Sequence, residues 1–177
     1  MSPWRRRRRY SSRGPRDFHI WLFALSAFVV VLDRLTKMWV SRHIGEGLHT
    51  VIIPHVFYIS HVLNPGAAFS LFTDSPDPAR IRWMLTAFSI IAALVVFAVL
   101  VRIGSRLTLG SLSMALVLGG AIGNVWDRIA YGTVIDFLEV HIVHYHWPDF
   151  NVADSAIVIG GILLLIASLL PGRTTEP

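Results

Sequence analysis

Four long apolar runs dominate the chain, at about Ile20 to Val40, Trp83 to Val101, Leu107 to Ile129 and Val152 to Leu170. Each is near the ~20 residues a helix needs to cross a hydrocarbon core of about 30 Å. The pattern therefore predicts four transmembrane helices. The second run is almost unbroken. The third carries Gly104, Gly110, Gly119, Gly120 and Gly123 in or near it. Small residues let helix backbones approach closely, so this span is expected at the centre of the bundle. Between the first two runs lie short β-prone stretches, Val51 to Ile53, Val56 to Val62 and Ala67 to Phe72, punctuated by Pro54, Asn64, Pro65 and Gly66. Their apolar side chains (Phe57, Tyr58, Phe69, Leu71, Phe72) would be buried by a small sheet lying beside the helix mouths. The connection from Ala130 to Asn151 holds Val140 to Val143 and Tyr145 to Trp147, with aromatics suited to a membrane interface. The expected fold class is a membrane α-helical protein, with four transmembrane helices and a small extracytoplasmic β-sheet between helices 1 and 2.

Composition sharpens this picture. Of 177 residues, 54% are hydrophobic and 15% charged, which excludes an ordinary soluble domain. One membrane domain over 19–171 is expected, with a basic tail at 1–18 and a short tail at 172–177. The net charge of +5 matters less than its placement. Arg5 to Arg9 form a block, and Arg13 and Arg16 follow. Such a block stays solvated, and beside an apolar span it fits anionic lipid better than nucleic acid. The Arg-rich start followed by Ile20 to Leu32 imitates a secretory signal peptide. Asp33, Arg34 and Lys37 then take the place of a small-residue cleavage site, so the segment reads as an uncleaved first span. The N-terminal tail, the Arg102 to Arg106 turn and Arg173 fall on one side, which the positive-inside tendency makes cytoplasmic. Arg42, Arg80 and Arg82 fall on the other side, outweighed by the block. Both termini are then cytoplasmic. The chain has no cysteine, which removes disulfides, a thiol nucleophile and Cys-ligated zinc.

Acidic residues are scarce, 11 in all, yet Asp33, Asp127, Asp136, Glu139 and Asp154 sit at the ends of apolar segments or between them. A carboxylate inside a membrane costs roughly 2–3 kcal/mol or more, so such groups default to function. Asp33 lies about 20 Å along the first helix from its inner end. Asp127 closes the third helix, Asp154 opens the fourth, and Asp136 lies between them. All four fall near one level, just inside the outer boundary. Asp33 and Lys37 share a helix face at i, i+4, and Asn124, Asp127 and Arg128 share another. Asn151 and Asp154 are i, i+3. The spacing also fits buried networks that glue helices together.

Five segments carry a resemblance. Asp33-Arg34-Leu35-Thr36-Lys37 is similar to a D-x-x-T-K box, with Arg34 where the family often has Gln. Asn64 to Ser70 is similar to N-x-G-A-A-F. Gly119 to Arg128 matches G-G-A-x-G-N-x-x-D-R, Val134 to Phe137 matches V-x-D-F, and Phe150 to Ser155 matches F-N-x-A-D-S. In this order, across about Ile20 to Leu170, they resemble lipoprotein signal peptidase, the signal peptidase II family. The resemblance implies a bacterial inner-membrane aspartic endopeptidase acting at the extracytoplasmic boundary. Its substrates would be prolipoproteins with a diacylglyceryl-modified cysteine, cut just before that cysteine. Carried over by residue, the catalytic pair falls on Asp136 and Asp154. Asn124, Asp127, Arg128 and Asn151 would support it, with Arg128 expected to tie Asp127. Asp33, Lys37 and Asn64 would shape the site. No metal and no cofactor are expected, the partners would be the lipidated signal peptide and membrane lipid, and a monomer is expected.

Two neighbouring carboxylates suit such a reaction. They cannot both ionise cheaply, so they share one proton, and one acts as base on water while the other acts as acid on the scissile carbonyl. Three other classes compete with this reading. His141, His144, His146 and Asp149 form a compact group that invites a metal, but the HxxEH and HExxH orders are absent. A proton or ion transporter would use intramembrane acids, yet these cluster at one level without an inverted repeat. A non-catalytic assembly factor would use the Gly-rich third helix as its interface.

Overall fold

The computed structural model describes residues 17–65, 77–143 and 145–170. The basic tail, the Ala67 to Phe72 run and most of the second motif lie outside the described residues. The elements run α1 (His19–His43), β1 (His49–Ile53), β2 (Phe57–Asn64), α2 (Pro78–Ile103), α3 (Leu109–Ala130), β3 (Val134–Ile142), β4 (Tyr145–Phe150) and α4 (Val152–Leu169). All four helices are long and apolar enough to cross a membrane.

Local chemistry sets their ends. The α2 helix starts at Pro78 rather than Trp83. Asp77 accepts a hydrogen bond from the Arg80 N–H at 3.0 Å, and a proline at the first helical position has no N–H to leave unpaired. Arg80 and Arg82 therefore belong to its first turns rather than to the connection. Thr108 and Ser111 form a reciprocal capping box that starts α3 at Leu109. Asn151 caps α4, accepting from the Asp154 N–H at 2.9 Å.

The buried residues of α1 are Leu22, Ser26, Val29, Asp33, Lys37 and Val40, one stripe at i+3 and i+4 spacing. This stripe faces α3, which lies between α1, α2 and α4. Glycines make that position possible. A Cβ on Gly119 would stand 2.7 Å from the Ser26 carbonyl oxygen of α1, and one on Gly120 would stand 2.3 Å from the Ala153 oxygen of α4. The Ser26 hydroxyl donates to the Ala115 carbonyl at 2.8 Å and that of Ser113 to Gly160 at 2.7 Å, fastening α3 on both sides. The expectation of a central third span is met.

The small sheet is present and is larger than the runs before α2 predict. Its order is β1-β2-β3-β4, all antiparallel, so half of it comes from the connection after α3. Val40 and Ile44 at the end of α1 pack on Phe137 of β3, with Ile59 and Val152 alongside. This contact seats the sheet at the end of the bundle where α1 finishes and α4 begins.

Candidate active site

Five elements bring the polar residues together. Asp33 and Lys37 come from α1, Asn64 from the end of β2, and Asn124, Asp127 and Arg128 from the last turns of α3. Asp136 comes from β3, and Asn151 and Asp154 from the start of α4. Pairing of Val62 with Asp136 and Asn64 with Val134 sets Asn64 beside Asp136. The side chains then divide into two layers.

The deeper layer is ionic. The Lys37 ammonium lies 2.8 Å from Asp33 Oδ2 and 2.7 Å from Asp127 Oδ2, and all three side chains are fully buried. Arg34 pairs with the other oxygen of Asp127 and donates to the Tyr131 hydroxyl at 3.2 Å. Its guanidinium carbon also lies 5.6 Å from the Tyr131 ring centre and 5.9 Å from that of Trp126. Two acids thus meet two bases, and their charges offset one another. Both acids also reach backbone. Asp33 Oδ1 accepts from the Ala153 N–H at 3.0 Å, and Asp127 Oδ2 accepts from the Ile135 N–H at 3.3 Å. Ala153 precedes Asp154 and Ile135 precedes Asp136. The ionic layer therefore grips the backbone next to each of the two remaining aspartates.

The upper layer joins Asp136 to Asp154 through amides. Asn151 Nδ2 donates to Asp136 Oδ1 at 2.7 Å and Asn64 Nδ2 to Asp136 Oδ2 at 3.0 Å. Asn124 Nδ2 donates to Asp154 Oδ1 at 2.7 Å. The two bridging asparagines are themselves linked, Asn151 Nδ2 to Asn124 Oδ1 at 3.3 Å, and Lys37 donates to that same oxygen at 3.4 Å. Burial first, and then the charge of Asp154, push the Asp136 carboxyl up to about 7; the two amide donors oppose this.

Asp136 and Asp154 both line a cavity of about 750 Å³. Its polar end also includes Asn64, Asn124 and Arg128. Its walls continue along Phe88, Ala92 and Val96 of α2, at successive i+4 positions, and along Val117 of α3 and Ile157 of α4. This is a cleft with acids at one end and an apolar trough at the other.

One expected contact differs. Asp127 is held by Lys37 and Arg34 rather than by Arg128. The Arg128 guanidinium instead turns to the cavity, reaching the Asn124 carbonyl at 3.5 Å. Arg34 is a further member of the site, and its signal in the sequence is an arginine one residue after Asp33, in a position the family often gives to glutamine. Trp147, Asp149 and Phe150 of β4 also line the cavity. The metal-suggesting residues His141 and His146 do not; they contact Glu139 on the sheet.

Four membrane-length helices, a sheet capping one end and two aspartates facing one cleft define a membrane-embedded enzyme of the aspartic protease class. The family model described as "Signal peptidase (SPase) II" matches residues 25–170. A protein of Burkholderia mallei named lipoprotein signal peptidase is 44% identical over 149 residues, covering 84% of this chain and 87% of its own. One of the same name from Paraburkholderia phytofirmans is 43% identical over 150 residues, 84% of each chain. A bacterial membrane enzyme solved by the in meso method superposes with a TM-score of 0.74 at 28% identity, over 92% of this chain and 95% of that one. The chain belongs to the signal peptidase II family.

Proposed function

We propose that this protein removes signal peptides from diacylglyceryl-modified prolipoproteins, cutting just before the lipidated cysteine, with Asp136 and Asp154 as its catalytic pair. The observation that carries the reading is the amide bridge that aims both carboxylates into one cleft. With one proton between them, one aspartate takes a proton from water as that water attacks the scissile carbonyl. The other protonates the carbonyl oxygen, and collapse of the tetrahedral species expels the amine. The pair titrates as a unit.

The rest of the site supports this chemistry. Asn64, Asn124 and Asn151 donate hydrogen bonds and carry no charge, so they orient the acids without neutralising them. Arg128 reaches the cleft with a cation that can face the developing oxyanion or the substrate backbone. The apolar trough between α2, α3 and α4 suits acyl chains and a signal helix, whereas the scissile bond must meet water at the polar end. Asp33, Lys37 and Asp127, with Arg34, act through the backbone of Ala153 and Ile135. We assign one peptidase domain over 19–171, flanked by tails at 1–18 and 172–177. The monomer is the working unit, both termini face the cytoplasm, and the cleft opens to the extracytoplasmic face of the bacterial inner membrane beside its lipid.

The test is cleavage of a diacylglyceryl-modified lipobox peptide by the purified protein in detergent. Asp136→Asn and Asp154→Asn should each insert and fold yet lose activity by about 10²–10⁴-fold or more. Near-native turnover in either variant rejects the pair and moves the assignment to Asp127.

A further inference from the structure

Glu139, His141 and His146 gather on the sheet, outside the lining of the cleft. Glu139 and His141 are i, i+2 on β3 and share a face, and strand pairing sets His146 of β4 directly across from His141. Glu139 Oε1 lies 2.7 Å from His141 Nε2 and 3.8 Å from His146 Nε2. One donor atom from each residue falls within 4.8 Å of the others. Donors around a tetrahedral zinc, at about 2.0–2.1 Å from the ion, stand about 3.4 Å apart. The two Glu139 separations bracket that value, and with all three donors inside 4.8 Å, side-chain rotations of about an ångström would complete three sides of a tetrahedron.

The surroundings favour a cation. Glu139 side chain is only 12% exposed, and its partners within 4 Å among the described residues are imidazoles: His49 at 3.6 Å, His141 and His146. A second carboxylate, Asp149, brings Oδ1 to 3.6 Å from His146 Nε2. That oxygen is shut off from solvent and accepts no hydrogen bond. Two acids thus face a ring of nitrogen donors, with His141 and His146 partly open to solvent as an entry path. A neutral imidazole is a metal ligand, and it compensates a carboxylate only when protonated. A divalent ion would satisfy both acids at once.

We propose that Glu139, His141 and His146 form a binding site for a zinc-class divalent transition metal, with Asp149 or water as the fourth ligand. The site would clasp the β3–β4 hairpin. Its three core ligands lie outside the lining of the cleft, Asp149 lies at the cleft wall, and the site takes no part in hydrolysis. The donor set of two imidazole nitrogens and a carboxylate suits zinc over magnesium or calcium, which prefer oxygen ligands.

The experiment is a titration of the full-length protein, purified in detergent without a polyhistidine tag, with zinc chloride and separately with cobalt(II). The expected result is one zinc per chain at micromolar or tighter Kd, a rise in Tm on zinc addition, and cobalt absorption bands of a tetrahedral site. His141→Ala, His146→Ala and Glu139→Gln should each weaken binding by about tenfold or more, and His55→Ala should leave it unchanged. Lipopeptide cleavage should continue in EDTA, which separates this proposal from the catalytic one. Absence of a zinc-dependent Tm rise in the wild-type protein overturns the site. Unchanged affinity in the doubly substituted His141→Ala/His146→Ala protein does so as well.

Discussion

Asp136 and Lys37 illustrate opposite uses of burial at the scale of single residues. Asp136 keeps its proton to about pH 7 because burial and Asp154 disfavour its charge. If the singly protonated pair is the working form, kcat/KM should fall on the alkaline side with a midpoint near 7. The Asn64 donor stabilises the ionised form, so Asn64→Ala should move that limb to higher pH; a limb that stays or moves down contradicts the assignment. The same shift has a stability counterpart. The folded state holds a proton that the unfolded chain releases near 4, so stability declines as pH rises from about 4 to about 7. Asp136→Asn should flatten the Tm profile across that window. Lys37 is different, since its burial is matched by two carboxylate partners. Lys37→Met leaves Asp127 with Arg34 and Asp33 without its ion-pair partner, a loss of about 3–5 kcal/mol. Unfolding in detergent measures it, and an unchanged Tm would show that Arg34 alone suffices.

Elements explain why some of this was legible in the sequence and some was not. The four spans declare themselves because lipid demands long apolar runs, and the acids stand out against that background. The shared level follows from helix rise for Asp33 and from the ends of the third and fourth spans for Asp127, Asp154 and the Asp136 between them. The β3–β4 hairpin is harder to read. Val134, Ile135, Asp136 and Phe137 are all buried, so β3 opens without the alternation that marks a strand. Its turn places Val143 at φ 56, where glycine or asparagine would be expected, so no turn signal appears. His55 does the same between β1 and β2, at φ 63. The partner of Asp127 was hidden for another reason: helical spacing shows which residues share a face, but not which neighbouring helix meets it. The glycines of α3, by contrast, predicted close contact, and the contact sets a test. Gly120→Ala would press on the Ala153 carbonyl, backbone that cannot swing aside, at a cost of about 1–3 kcal/mol. Because Ala153 adjoins Asp154, cleavage should fall further than the Tm change explains. Gly161→Ala, with open space around it, is the neutral comparison.

Across the whole molecule, chemistry is placed where three kinds of structure meet: the end of α3, the beginning of α4 and a strand edge. Asn151 stands at that junction. It starts α4 through its side-chain oxygen and holds Asp136 through its side-chain nitrogen, 2.9 and 2.7 Å respectively. Serine is as good a helix starter but has no second arm. Asn151→Ser should therefore keep the helix start and lose about 1–3 kcal/mol from the buried acceptors left without a donor, while turnover of lipopeptide falls further than that loss explains. A survey of variants ranked only by heat resistance would grade this one as mildly weakened, and the larger defect would surface only when a substrate was offered.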